Sequence, residues 1–243
     1  NGQVEIEDNK IIYVGDNREC SGEVIDARGN IIMPGLINTH CHLAMTLFRG
    51  YGENTNFKNW WMDYMRPLEE KIEENDCYYG ATLGILELLK NGVTTVADFY
   101  MNNEETAKAV MDTGIRACIG VGAITGKEVL DEKYLDREIE NISISPLIRP
   151  ILYAHSLYTC DEGQFLELNK YASKHGIIKS THVSETLLEV GTIFNKYNKT
   201  PIALLESYGF FDTPSLLAHC VHCDQEDIDI MKNYDITVAT NPS

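Results

Sequence analysis

From Leu36 onward, short apolar runs alternate along the chain with stretches whose apolar positions fall three and four residues apart. The runs are Leu36 to Leu43, Thr94 to Asp98, Arg116 to Ile119, Ile148 to Tyr153, Ile177 to His182, Ser215 to His219 and Ile236 to Ala239. They read as buried strands. Helices are expected over Cys77 to Lys90, Glu104 to Thr113, Glu162 to Lys174, Leu187 to Tyr197, Ile202 to Tyr208 and Gln225 to Asn233, several closed by glycines such as Gly92, Gly114 and Gly176. Such alternation implies a parallel sheet.

Seven strands approach the eight of a (β/α)8 barrel. The expected fold is therefore α/β: either a TIM barrel whose eighth strand is missing from this chain or a sheet that does not close, with a doubly wound sheet as the competing architecture. Before residue 34 the pattern changes. Val4 to Gly15 alternates like a hairpin turning at Asp8-Asn9, and Glu23 to Asp26 continues in that style as a further strand. Residues 1–33 are thus expected to belong to a small β-domain and residues 34–243 to the barrel.

Composition narrows the partners. The 243 residues are 44% hydrophobic and 23% charged, enough for one large core. With 20 Lys and Arg against 37 Asp and Glu, the net charge of -17 would repel nucleic acid and anionic membrane over most of the surface. A small neutral or zwitterionic ligand fits better, and a homo-oligomer is compatible with all of this. No run reaches the roughly 18 apolar residues that a membrane helix needs. The seven cysteines are scattered and odd in number, which points to reduced thiols and a cytoplasmic location.

The histidines carry the chemistry. His40 and His42 close the first run, His155 the fourth, His182 the fifth and His219 the sixth, and strand ends are where a parallel barrel places its functional groups. In an extended strand, positions i and i+2 share a face, so His40 and His42 can converge while Cys41 points away. With His182 they make three imidazoles, the ligand set of a catalytic zinc or similar divalent ion that lowers the pKa of its water to about 7. Glu185, three residues after His182, is the candidate proton carrier; the plainer alternative is a first-turn glutamate favoured by the helix dipole. His219 is the candidate for orienting the water. Other signatures fail: no G-x-G-x-x-G or G-x-S-x-G is present, Cys220 to Cys223 lacks the second C-x-x-C of a zinc ribbon, and no His is followed two residues on by Glu.

Pro34-Gly35-Leu36-Ile37-Asn38-Thr39-His40-Cys41-His42 resembles the P-G-x-[IV]-[ND]-x-H-x-H signature of the amidohydrolase superfamily. Leu43 to Gly50, Asn59-Trp60-Trp61, Pro67-Leu68-Glu69, Ala154-His155-Ser156, His182 to Thr186 and Ala218 to His222 extend the likeness to the 5'-methylthioadenosine/S-adenosylhomocysteine deaminase group and its chlorohydrolase relatives. The resemblance implies a distorted (β/α)8 TIM barrel, lacking its last strand in this chain, flanked by a small β-sandwich, of which residues 1–33 would be the N-terminal portion. It implies one divalent metal, zinc first, on His40, His42 and His182, with Glu185 as proton shuttle and His219 as partner of the hydrolytic water. It further implies that Glu69 holds ribose hydroxyls, His155 contacts the nucleoside and Trp60 walls the pocket. Protonation of an adenine ring nitrogen by Glu185 would then make the adjacent carbon electrophilic towards water, with ammonia leaving.

Two departures from the family pattern matter. Its remaining metal ligand, an Asp ending the eighth strand, lies beyond Asn241-Pro242-Ser243, which resembles the start of the family's N-P-x-S-N segment; the chain is thus expected to be incomplete, and poor as a metal binder and catalyst by itself. The Arg that adenosylhomocysteine deaminases of this group often place shortly after the third strand has no counterpart in Ile119-Gly120-Val121-Gly122. The expected activity is hydrolytic deamination of methylthioadenosine, adenosylhomocysteine or adenosine. Guanine or another N-heterocycle, or a chlorotriazine, is the alternative within the same chemistry, and a non-catalytic scaffold relative the alternative of another class.

Overall fold

A computed structural model describes residues 2–55 and 59–242. By its contacts the chain divides into two compact units, residues 1–35 and residues 36–243. In the first, β1 (Gln3–Glu7) and β2 (Lys10–Gly15) form an antiparallel hairpin turning at Asp8-Asn9, with Asp8 in the left-handed region. Arg18 closes over it, bonding Glu5 and lying 3.7 Å from the centroid of the Tyr13 ring. The strand expected over Glu23 to Asp26 does not form. No ladder partner reaches it among the described residues, and Val24 and Ile25 stay exposed.

The second unit carries seven strands in one sheet: β3 (Leu36–Cys41), β4 (Val93–Asp98), β5 (Arg116–Ala123), β6 (Ile148–Ser156), β7 (Lys179–Val183), β8 (Ser215–His219) and β9 (Ile236–Ala239). Every neighbouring pair is parallel, and the order in the sheet is the order in the chain. A doubly wound sheet reverses direction at a switch point; this one never does. The sheet also curls. Laid flat at about 4.8 Å per strand, β3 and β7 would sit roughly 19 Å apart, yet Nε2 of His40 lies 3.1 Å from Nε2 of His182. The fold is a distorted, nearly closed TIM barrel.

A 3-10 turn (Leu43–Phe48) follows β3, and a π-helical stretch (Trp60–Met65) runs into α1 (Arg66–Glu69). The remaining helices are α2 (Glu74–Lys90), α3 (Asn103–Thr113), α4 (Glu132–Ile142), α5 (Glu162–His175), α6 (Leu187–Tyr197), α7 (Pro201–Ser207) and α8 (Gln225–Met231). None among the described residues is long and apolar enough to cross a membrane. α4 has no counterpart among the helices expected from the sequence. Its signals are Asp131, whose side chain caps the Tyr134 N–H at 2.7 Å, and the spacing of Leu135 and Ile142, both buried; the charged residues between them hide the pattern.

Strand alternation sorts the side chains into two layers. Val96, Ala117, Leu152 and Leu217 pack outward in the main core, while Ala97, Phe99, Ile151 and Tyr153 form a smaller cluster. On β6, Ile151, Tyr153 and His155 share one face, so the strand climbs from this cluster to a histidine at its end. Packing below supports the chemistry above.

Candidate active site

His40, His42 and His182 meet at one point, with their ligating nitrogens all within 4.8 Å of one another. Nε2 of His182 lies 3.1 Å from that of His40 and 3.3 Å from that of His42. Backbone carbonyls fix two of the tautomers. Nδ1 of His42 is 2.5 Å from the Phe99 carbonyl, and Nδ1 of His182 is 2.7 Å from the His155 carbonyl and 3.0 Å from the Tyr153 hydroxyl. A carbonyl only accepts, so each Nδ1 carries the proton and each Nε2 keeps its lone pair.

The His42 and His182 lone pairs therefore confront each other across 3.3 Å with no proton between them. That is repulsive unless a cation lies there. Two ligands of a tetrahedral zinc with Zn–N bonds near 2.05 Å stand about 3.3 Å apart, so the separations fit such an ion, and imidazole suits Zn, Cu, Fe and Ni. Burial holds all three imidazoles neutral: His40 is pushed down to about 3, and His42 and His182 also fall below the ordinary histidine value. Neutral imidazole is the ligating form.

The anchoring of the cluster lies in its neighbours. His40 stacks on Phe99 at 5.6 Å, and Phe99 stacks on Tyr153 at 4.8 Å. His42 leaves the strand with ψ 80 and opens the 3-10 turn, whose carbonyls press against α2 where Gly80 and Gly84 face it. A Cβ at Gly80 would lie 2.5 Å from the Ala44 carbonyl oxygen, so only glycine admits that approach.

Glu185 sits in the turn before α6 rather than in its first turn, because Thr186 is the cap and Glu189 the first-turn acid. The dipole alternative thus belongs to Glu189. Burial, with the Glu189 charge acting in the same direction, pushes the Glu185 carboxyl up to about 7. Its Oε1 is 3.5 Å from Nε2 of His219. The tautomer of His219 follows from Asn241, whose Nδ2 donates both to the Ala239 carbonyl and to Nδ1 of His219, each at 3.3 Å. Nδ1 accepts, so Nε2 carries the proton and faces Glu185. His219 reaches the site by breaking the strand: Leu217, of the same parity, packs outward, but φ 78 at His219 turns its ring inward. Burial lowers His219 to about 4.

The cleft around these groups has a volume of about 290 Å³ and is walled by Trp60, Trp61, Met45, Met101 and Tyr158. Trp61 stacks on His155 at 5.9 Å. His155 is held through Nδ1 by the hydroxyl of Thr159 at 2.8 Å, and burial drops it to about 3. Glu69 also lines the cleft, where Tyr100 donates to its Oε1 at 2.7 Å and burial raises its carboxyl above the usual range. All eight residues singled out from the sequence line this one cleft. Trp61, Tyr100 and Asn241 had no role assigned from the sequence, although Trp61 stands beside Trp60 and Asn241 opens the Asn241-Pro242-Ser243 segment.

Residues 31–243 match the amidohydrolase family. The chain is 38% identical over 250 residues to a 5'-deoxyadenosine deaminase of Methanocaldococcus jannaschii, covering 98% of this chain and 59% of that protein. It is 36% identical over 246 residues to a 5-methylthioadenosine/S-adenosylhomocysteine deaminase of Thermococcus onnurineus, covering 98% of this chain and 58% of that protein. A guanine deaminase from C. acetobutylicum, solved with guanine in its active site, superposes with a TM-score of 0.85 at 25% identity, over 98% of this chain and 61% of that one. The chain spans under two thirds of the length of each.

Proposed function

We propose, from the premise that this chain belongs to the amidohydrolase family, that the protein is a metal-dependent hydrolytic deaminase of an adenine nucleoside such as 5'-methylthioadenosine, S-adenosylhomocysteine or adenosine. One divalent ion, zinc first, is assigned to His40, His42 and His182. The observation that carries the reading is the confrontation of two unprotonated imidazole nitrogens at 3.3 Å in the same cleft as a carboxyl poised near 7. A single ion is favoured because the end of β6, where a bridging carboxylated lysine would stand, carries Tyr153-Ala154-His155.

Zinc, when bound by the three imidazoles, supplies a water activated at neutral pH. The remaining work belongs to the protein's own groups. Glu185, poised near neutrality, would hold a proton at its carboxyl and pass it to a purine ring nitrogen, which would drain electrons from the adjacent carbon. His219, with its Nε2 proton towards Glu185, keeps the carboxyl and the water aligned. One water is added and one ammonia leaves, so the balance is closed.

Glu69 argues for a nucleoside over a bare base. With Oε1 taken by Tyr100, its Oε2 remains to accept a ribose hydroxyl. Trp60 and Trp61 offer apolar faces for the purine, and His155 a further contact. The likeness to the guanine deaminase supports the second reading, a deaminase of a free N-heterocycle. The partner in either case is a small molecule rather than nucleic acid or membrane, in line with the net charge of -17, and a cytoplasmic location follows from the cysteine pattern.

Glu69→Gln separates the two. On the nucleoside reading it raises KM for methylthioadenosine by about 10-fold or more, since a charged acceptor is lost, and kcat changes little. Turnover of guanine with no turnover of any adenine nucleoside would establish the second reading instead.

A further inference from the structure

Glu189 lies in the first turn of α6, only 3% exposed, and its carboxylate points back along the chain. Oε1 accepts the N–H of Ser184 at 3.0 Å, and Oε2 accepts the N–H of Glu185 at 2.9 Å. A helix-dipole acid needs neither bond and normally keeps its carboxylate in water. Two successive amides converging on one anion form a nest, the device that elsewhere cradles phosphate; the protein's own carboxylate fills it.

The nest requires Ser184 at φ 52, a left-handed conformation that is sterically strained for a non-glycine residue. Something must hold it there. The Ser184 carbonyl accepts the His222 N–H at 2.9 Å and the Val183 carbonyl accepts the Cys220 N–H at 3.0 Å, so the turn is also tied to the segment that follows His219. Glu185 and His219 thereby sit on two turns bonded to each other, with the Glu189 carboxylate gripping the first from below.

We propose that Glu189 is a positioning residue for catalysis: by binding the Ser184 and Glu185 amides it holds the Glu185 carboxyl facing His219, beside the three-histidine cluster. The inference rests on the reading of Glu185 as proton carrier. Its charge also acts on that carboxyl in the same direction as burial.

The test compares the zinc-loaded wild type with Glu185→Gln, Glu189→Gln and Glu189→Asp, measuring kcat, KM and zinc per chain with methylthioadenosine. In Glu189→Gln an amide N–H replaces one acceptor and faces a backbone N–H, so the turn loosens without loss of volume. Misplacing a reacting group by about 1 Å costs up to roughly 100-fold. The expected result is a kcat lowered by about 10- to 100-fold, with KM and zinc content unchanged and part of the loss recovered in Glu189→Asp. A wild-type kcat in Glu189→Gln overturns the inference. So does a loss of kcat in step with loss of zinc or of the folded state in both Glu189 variants, because that is a structural role alone. A wild-type kcat in Glu185→Gln, or a wild type without turnover, defeats the parent reading, whatever Glu189→Gln does.

Discussion

The carboxylate of Asp98, which has no exposed surface, accepts the backbone N–H of Leu43 at 2.6 Å. Leu43 is the residue after His42, so the end of β4 fastens the point where the chain turns away from its histidine pair. The bond runs from one strand end to another and orients a proposed ligand through its backbone.

Asp98→Ala leaves the Leu43 N–H buried and unpaired, a penalty of about 1–3 kcal/mol. Because supporting groups of a metal site typically govern 10- to 100-fold in affinity, zinc binding should weaken by about that factor. Asp98→Asn, whose amide oxygen still accepts, should bind zinc close to wild type. Chelator competition measures both.

The contact between α2 and the 3-10 turn is equally specific. Gly80→Ala places a methyl 2.5 Å from a backbone oxygen of Ala44, and backbone cannot step aside as a side chain does. Overpacking of this kind costs about 1–3 kcal/mol. Gly191→Ala is the control. It lies in α6 with nothing within 4 Å of its would-be Cβ, so it should gain up to about 1 kcal/mol of helix propensity. Urea denaturation of the two variants should move the midpoint in opposite directions.

Lys179 carries a pH signature unrelated to catalysis. It has no exposed surface, its Nζ has no hydrogen-bond partner among the described residues, and it lies 5.0 Å from the Phe210 ring centroid. Burial pulls its ammonium down to about 8 from 10.5, with Asp212 opposing. Between those values the unfolded chain still holds a proton that the folded chain has released, so this group's contribution to stability rises with pH across that window. Below about pH 8 the buried charge costs about 3 kcal/mol. Lys179→Met removes the dependence. Its stability relative to wild type should therefore fall by about 3 kcal/mol between pH 7 and pH 10.5, as read by urea denaturation at the two pH values.

The barrel and the histidine cluster were largely legible in the sequence because both rest on local periodicity. Seven apolar runs became seven strands, and the i, i+2 spacing of His40 and His42 brought both rings to one point. What stayed hidden depends on partners distant in sequence or on exceptional backbone. Glu23 to Asp26 alternates like a strand, but a strand exists only with a ladder to join. His219 enters the cleft through a positive φ that no periodicity reports. Asp98 and Glu189 act through backbone N–H groups of Leu43, Ser184 and Glu185, and a main-chain partner leaves no mark in the residue types.

Ammonia release from 5'-methylthioadenosine by the zinc-loaded whole protein, followed with the ultraviolet shift from an adenine to a hypoxanthine ring, tests the central claim most directly. Stoichiometric ammonia and the hypoxanthine nucleoside are the predicted result, abolished when His182→Ala removes one of the three imidazoles. A zinc-loaded protein that releases no ammonia from methylthioadenosine, adenosylhomocysteine or adenosine would contradict it.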